Sequence, residues 1–165
     1  MQIRIGHGFD VHRFDQQADA SAHITIGGVA IAHSHRLLAH SDGDVLVHAL
    51  CDALLGALAL GDIGRHFPDS DPRYRGCDSL ELLAAVVQLI TSEGWQLANA
   101  DTTLVAQAPR FAPYIPEMCG KLATVLRCDQ DQVSVKATTT EGLGFTGRGE
   151  GIASHAVVLL QRLGT

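Results

Sequence analysis

The sequence has no C-x-x-C pair, no Walker A phosphate loop, no internal repeat or low-complexity tract, and no apolar run long enough to cross a bilayer. Its four cysteines, Cys51, Cys77, Cys119 and Cys128, are scattered through helix-like or polar segments, a pattern that reads as reduced thiols rather than a disulfide framework. There is little charge, 18% of residues, and the balance is acidic at -6. A general nucleic-acid binder needs a basic face, so no nucleic-acid partner is expected. No signal peptide or spanning segment is recognisable, and a soluble, cytoplasmic protein without a membrane partner is the expectation. The acidic balance does not exclude an anionic substrate, because a bound cation inverts the local field.

What is present suits one domain over residues 1–165 with ample core, since 46% of the residues are hydrophobic. Ile3 to Val11 reads as a strand, and Ile24–Ile31, centred on Gly27-Gly28, as a short hairpin. Asp44 caps a very apolar helix running to Leu60, with Gly61 as its stop. Its surplus of apolar surface hints at an oligomer. Asp62 to Cys77 reads as a functional loop, and Asp78-Ser-Leu-Glu81 opens a helix to about Ser92. A strand at Leu97–Ala108, a helix at Tyr114–Leu126, and strands at Val133–Ala137 and Ala156–Leu160 follow. The order predicts an α+β domain with helices against a mixed sheet.

Three residues carry the chemistry. Asp10 and His12 are two apart on a strand and so share a face. His48 lies with Asp44 and Asp52 on a narrow polar stripe of the apolar helix, where a solvated face would be broader and richer in Lys and Glu. Two imidazoles and a carboxylate suit a zinc ion with one open position, and Asp44 or Asp52 is a candidate acceptor to orient an imidazole. His7 falls on the other strand face, and His33-x-His35 in a polar turn. His40-Ser41-Asp42-Gly43-Asp44 brings a hydroxyl and backbone N–H groups to a helix N-terminus, a place that favours anions. The run from Thr138 to Gly151 offers three consecutive hydroxyls and a fourth at Thr146, five glycines, an arginine and two carboxylates, enough for both a phosphate and a divalent cation. Its G-x-G-x-x-G match at Gly142 to Gly147 is not a dinucleotide fingerprint, because no helical pattern follows and too little chain remains for a β-α-β unit. These residues alone suit a metal-dependent enzyme that handles phosphates, such as a zinc phosphoesterase or a phosphoryl-transfer enzyme, or a non-catalytic nucleotide-binding module with a structural metal.

The blocks Gly6-His-Gly-Phe-Asp-Val-His12, Leu38-Ala-His-Ser-Asp-Gly-Asp44, Gly61-Asp-Ile-Gly64, Phe67-Pro-Asp-x-Asp71, Ala106-Gln-Ala-Pro109 and Ala137-Thr-Thr-Thr-Glu-x-Leu-Gly-Phe-Thr-Gly-Arg-Gly-Glu-Gly151 together resemble the 2-C-methyl-D-erythritol 2,4-cyclodiphosphate synthase family. They span nearly the whole chain in the family's order. The resemblance implies a homotrimer of α+β domains, each with helices on one face of a four-stranded mixed sheet and with active sites at subunit boundaries. It implies a lyase of the non-mevalonate isoprenoid pathway that converts 4-diphosphocytidyl-2-C-methyl-D-erythritol 2-phosphate to the 2,4-cyclodiphosphate and CMP.

By the same resemblance, Asp10, His12 and His48 would be Zn2+ ligands, and Glu141 would ligate a second ion, Mg2+ or Mn2+, on the substrate phosphates. His40 and Thr139 would position the transferring phosphate. Asp10, His12, Ser41, Thr138, Thr140 and Glu141 would also meet substrate. Ala106, Gln107, Ala108, Pro109, Arg110, Phe111 and Ala112 would form the cytidine pocket. Asp62, Ile63, Gly64, Phe67, Pro68, Asp69, Ser70 and Asp71 would cover the erythritol part. Phe145 and Arg148 would bind as well, and line a trimer-axis cavity suited to an isoprenoid diphosphate. Ala32, Arg36, Arg110 and Gly142 depart from the residues expected there, which bears on turn shape and nucleotide contact more than on metal chemistry.

Overall fold

The computed structural model describes residues 2–164. A four-stranded sheet runs in the order β1 (Ile3–Arg13), β6 (Gly151–Arg162), β4 (Trp95–Val105), β5 (Val133–Thr138). β6 is antiparallel to both of its neighbours, and β4 is parallel to β5, so the sheet is mixed. A separate hairpin pairs β2 (His23–Ile26) with β3 (Val29–Ala32). Helices α1 (Val45–Ala57), α3 (Ser79–Ser92) and α4 (Ile115–Leu126) cover one face of the sheet, and the short helices α2 (Ile63–His66) and α5 (Gly144–Gly147) lie in loops. This is the expected α+β architecture. The C-terminal ends of β1, β4 and β5 all lie along one margin of the sheet, with β1 and β5 at opposite edges.

Strand β1 shows how sequence sets this packing. Its even positions turn inward, and Gly6 and Gly8 are buried, while Ile5, Phe9 and Val11 on the other face remain exposed. A Cβ on Gly6 would sit 1.8 Å from the Ala53 carbonyl oxygen, and one on Gly8 1.9 Å from that of Ala49. Only hydrogen at both places allows α1 to lie directly on the strand. That close approach brings His48 of α1 to the end of β1. The core between helices and sheet is filled by Leu46, Leu50, Leu54, Leu83, Leu104, Leu122 and Ile152, each buried.

Several boundaries differ from the sequence reading. α1 ends at Ala57, not Leu60, and its left-handed residue is Ala59 at φ 56° rather than Gly61. Leu60 N–H donates to Leu55 O (3.0 Å) and Ala59 N–H to Gly56 O (3.0 Å), the paired bonds of a Schellman end. The segment expected to be one loop contains α2, which Asp62 caps by accepting from Arg65 N–H, and a tight turn at Pro72–Tyr74 started by Asp71. β6 is more than twice as long as the apolar run Ala156–Leu160, because Ser154 and His155 interrupt the apolar signal on one side of it and Gln161 and Arg162 on the other. No helix among the described residues is long and apolar enough to cross a membrane.

Candidate metal centre and active-site cleft

Asp10 and His12 lie on the inward face of β1, and His48 lies one turn into α1. Asp10 Oδ2 is 3.0 Å from His48 Nδ1 and 3.2 Å from His12 Nε2, and the two ring nitrogens are 3.2 Å apart. Two ligands at ordinary Zn–N and Zn–O lengths in a tetrahedral shell are separated by about 3.3 Å. The three atoms therefore form one face of a tetrahedron of the right size, and they are the one such cluster of metal-ligating groups among the described residues. Their electrostatics agree. Burial works to raise the Asp10 carboxyl, but the hydrogen bonds and charges of His12 and His48 outweigh it and hold it far below the usual carboxylate range. Burial likewise works to lower His48, yet the Asp10 hydrogen bond and charge, with Asp44 and Asp42 behind, raise it above its ordinary value. A carboxylate and two imidazoles whose acceptor atoms converge favour a positive charge at that point.

The triad opens into a cavity of about 370 Å³ lined also by His40, Ser41, Ile63, Gly64, Phe67, Asp69 and Tyr74. His40 Nδ1 lies 3.5 Å from Asp69 Oδ2 across its mouth, joining the segment before α1 to the loop after α2. Of the other residues expected near substrate here, Asp62 caps α2 and Asp71 is engaged by Arg73 (2.6 Å); Pro68 and Ser70 lie in the same loop.

Ala106, Gln107, Pro109, Arg110, Phe111 and Ala112 line a different cavity, of about 250 Å³, together with Ala137, Thr138 and Thr139. No residue lines both cavities. They sit at opposite edges of the sheet, about three strand spacings or ~14 Å apart. Beyond β5, Glu141 takes a left-handed backbone (φ 54°), and its carboxylate accepts from the Thr139 hydroxyl (3.2 Å), away from the Asp10–His12–His48 cluster. Thr140 and Thr146 hydroxyls meet at 3.1 Å inside this loop, and Arg148 pairs with Glu150 (2.7 Å) on its exposed side, beside Phe145 on α5. The largest cavity, about 810 Å³, lies between the end of β1, His33–His35 and Gly149–Glu150, and has no such cluster of ligating groups.

One expectation about the triad's surroundings is corrected. Neither Asp44 nor Asp52 orients an imidazole. Asp44 is fully buried and accepts from the backbone N–H groups of Gly27, Gly28, Leu46 and Val47, tying α1 to the β2–β3 turn. Asp52 accepts from Ile63 N–H at 2.7 Å. His48 Nε2 instead faces two hydroxyls, Ser79 Oγ at 2.9 Å and Ser41 Oγ at 3.1 Å. Ser79 had no role in the sequence reading. Its only signal was its place in the capping pattern Asp78-Ser-Leu-Glu81, which marks a helix start and says nothing of where the hydroxyl turns.

Comparison with known proteins gives a consistent result. The model of the YgbB family matches residues 3–161. The 2-C-methyl-D-erythritol 2,4-cyclodiphosphate synthase of Alcanivorax borkumensis is 62% identical over 161 residues, covering 98% of each chain. Among solved structures, the bifunctional IspDF from Campylobacter jejuni superimposes with a TM-score of 0.91 at 41% identity, covering 98% of this chain and 43% of that longer protein. The CDP complex of IspF from Plasmodium falciparum matches with a TM-score of 0.84 at 35% identity, over 98% of this chain and 97% of the other.

Proposed function

The chain belongs to the YgbB family, and from that premise we propose that it is a 2,4-cyclodiphosphate-forming synthase of the non-mevalonate isoprenoid route, comprising one catalytic domain over residues 1–165. Its substrate is 4-diphosphocytidyl-2-C-methyl-D-erythritol 2-phosphate, consistent with the CDP held by the Plasmodium falciparum relative. An oxygen of the 2-phosphate attacks the β-phosphorus of the cytidine diphosphate. A new P–O bond closes the ring, the bond to the α-phosphate oxygen breaks, and CMP leaves with the electron pair. The reaction is a metal-dependent phosphorus–oxygen lyase step.

The observation that carries this reading is the convergence of Asp10 Oδ2, His12 Nε2 and His48 Nδ1 at 3.0–3.2 Å in a cleft. Asp10, His12 and His48 would hold Zn2+ and Glu141 a second ion, Mg2+ or Mn2+, and the ions would supply Lewis-acid neutralisation of phosphate charge. The protein's own groups align and screen the reactants, which is most of what phosphoryl transfer asks of a protein. His40, together with Thr139, positions the transferring β-phosphate, and Ser41 at the rim of the triad meets the substrate beside it. Thr139, with Thr138 and Thr140, donates to the diphosphate, while the backbone of Ala106–Ala112 holds the cytosine. Ile63, Gly64 and Phe67 exclude water above the erythritol.

A homotrimer accounts for the two separated half-sites, since a second copy can bring its Ala106–Thr139 edge to the first copy's triad. It also accounts for the exposed apolar residues Ile5, Phe9, Val11 and Val157 on the uncovered sheet face. Phe145 and Arg148 would then face a shared axial cavity suited to an isoprenoid diphosphate. The enzyme acts in the cytoplasm. Phosphorus NMR after incubation with substrate, Zn2+ and Mg2+ tests the reading: CMP and a cyclic diphosphate are expected, and an open-chain bisphosphate would replace it with hydrolysis.

A further inference from the structure

The side of His48 turned away from the triad is built as carefully as the triad itself. Ser79 is fully buried at the first turn of α3, behind the Asp78 cap. Its hydroxyl donates to Asp42 Oδ1, and its backbone N–H donates to Asp42 Oδ2 at 3.1 Å. Asp42 also accepts from Asp44 N–H at 3.2 Å, so its carboxylate is fixed by three donors from two segments. A serine hydroxyl has one proton. With that proton on Asp42, Ser79 Oγ can only accept from His48 Nε2, 2.9 Å away. Ser41 Oγ stands beside it at 3.1 Å and itself accepts from Gly43 N–H at 3.3 Å.

The proton count along this chain has one solution: Nε2 of His48 carries hydrogen. With Nε2 committed to Ser79, Nδ1 is the position that donates a proton to Asp10 when no ion is present and, once deprotonated, offers its lone pair to a cation. We infer that Ser79 and Asp42 are positioning residues that lock His48 in the Nε2–H tautomer and in the ring plane needed for its Nδ1 to bind a cation. The relay reaches the triad from α3 and from the turn before α1, neither of which supplies a ligand. Outer partners of this kind change metal affinity by about 10–100-fold.

This inference rests on the metal-site reading of Asp10, His12 and His48, and two measurements separate the two. In the metal-free protein, long-range ¹H–¹⁵N correlation spectra report the His48 tautomer, independently of any metal. The parent is expected to carry hydrogen on Nε2, alone or together with one on Nδ1 shared with Asp10, and Ser79→Ala to lose the Nε2 proton and show Nδ1–H alone or a mixture. Zn2+ affinity by chelator competition is expected to fall about 10–100-fold in Ser79→Ala. Circular dichroism and thermal unfolding of the metal-free form should stay close to the parent, because Asp78 still caps α3. Asp42→Asn is the second variant: its amide can donate to Ser79 Oγ, releasing the hydroxyl proton toward Nε2 and producing the same two changes with Ser79 itself kept, the amide oxygen still free to accept from Ser79 N–H. An unchanged tautomer and an affinity within twofold of the parent, in whichever variant folds, would overturn the relay. A parent that shows Nε2–H but binds no Zn2+ would overturn the metal-site reading, leaving the tautomer result to judge the relay alone.

Discussion

The two edges of the sheet solve different problems with different materials. At the β1 edge, Asp10, His12 and His48 are partly or largely covered, tied to one another, and backed by buried Ser79 and Asp44. At the β5 edge, Thr138, Thr139, Glu141 and Gly142 are exposed, the Thr138 and Thr139 hydroxyls bond only to near neighbours, and the loop after β5 passes through left-handed positions. The first edge is finished within one chain. The second offers exposed donors around a shallow cavity, with no such buried network behind them among the described residues. A point charge demands preorganised side chains, whereas a nucleoside diphosphate can be met by backbone and hydroxyls once it is enclosed.

Breaking the first edge has the largest effect. His48→Ala or Asp10→Ala removes one of three converging ligands, and several kcal/mol of metal interaction go with it. Zn2+ binding is expected to weaken by roughly a thousandfold or more and cyclodiphosphate formation to fall below detection. Metal analysis after gel filtration and phosphorus NMR check both, and a fully active metal-free variant would remove the ligand assignment.

The scaffold beneath that edge comes next. Gly8→Val would drive its Cβ, 1.9 Å from the Ala49 carbonyl oxygen, into backbone that can yield only by lifting α1 off β1. A loss of about 3 kcal/mol in urea unfolding is expected, as for the severer overpacking of a tight core. Zn2+ affinity should fall with it, because α1 carries one ligand and β1 the other two. The matching change at the far edge is Gly142→Ala. Its Cβ would meet nothing within 4 Å, so only the left-handed backbone (φ 80°) resists it. That costs about 1 kcal/mol and leaves Zn2+ binding alone. Equal effects of the two substitutions on metal affinity would erase the distinction between the edges.

The same contrast explains what the sequence made legible. Asp10-x-His12 and the polar stripe through His48 show themselves by strand and helix periodicity, so the α+β order, the central elements and the triad could be read directly. Asp44 and Asp52 share that stripe but turn to the Gly27–Gly28 turn and to Ile63, because a helix face alone does not say what lies opposite it. Ser79 reaches His48 across 31 positions of chain, and no local pattern encodes a hydroxyl's direction. Ala59 at the end of α1 was hidden for a similar reason: a left-handed turn that glycine would mark was taken by a residue with a Cβ.

An intermediate effect is expected from Thr139→Val at the second edge. Loss of one donor to developing phosphate charge lowers kcat by about a hundredfold. Zn2+ affinity should stay within twofold of the parent, and Thr139→Ser should recover most of the rate. Steady-state kinetics with chelator competition on the same samples separates chemistry from metal loading. A Thr139→Val protein that turns over normally would leave the hydroxyl with its local bond to Glu141 and nothing more.

The finest test is the dependence of stability on pH. Burial pushes the Asp44 carboxyl up to about 6, against the backbone N–H groups of Gly28, Gly27 and Val47 that hold it down. His48 is also raised, its burial outweighed by Asp10. Both groups bind a proton more tightly in the folded chain than in the unfolded one. Their contribution to metal-free stability is therefore full below their ordinary values and is lost as pH rises through the folded ones. For Asp44 that loss falls between its ordinary 3.8 and about 6, and for His48 it falls above 6.5. Asp10 has the opposite sign, because its lowered carboxyl contributes stability above its ordinary 3.8 that is lost only in stronger acid. With chelator present, the melting temperature should thus rise or hold level on acidification from pH 8 to about 4.5. The increment from added Zn2+ should do the reverse, because the proton on His48 Nδ1 competes for the atom that the ion requires. The two melting curves then converge toward acid and stand farthest apart near pH 8. Glu150→Gln beside the end of β1, where only an exposed side-chain pair with Arg148 is disturbed, should leave both curves superimposed on the parent's. A gap that widened toward acid would mean that the ion's stabilising contacts lie somewhere other than on His48.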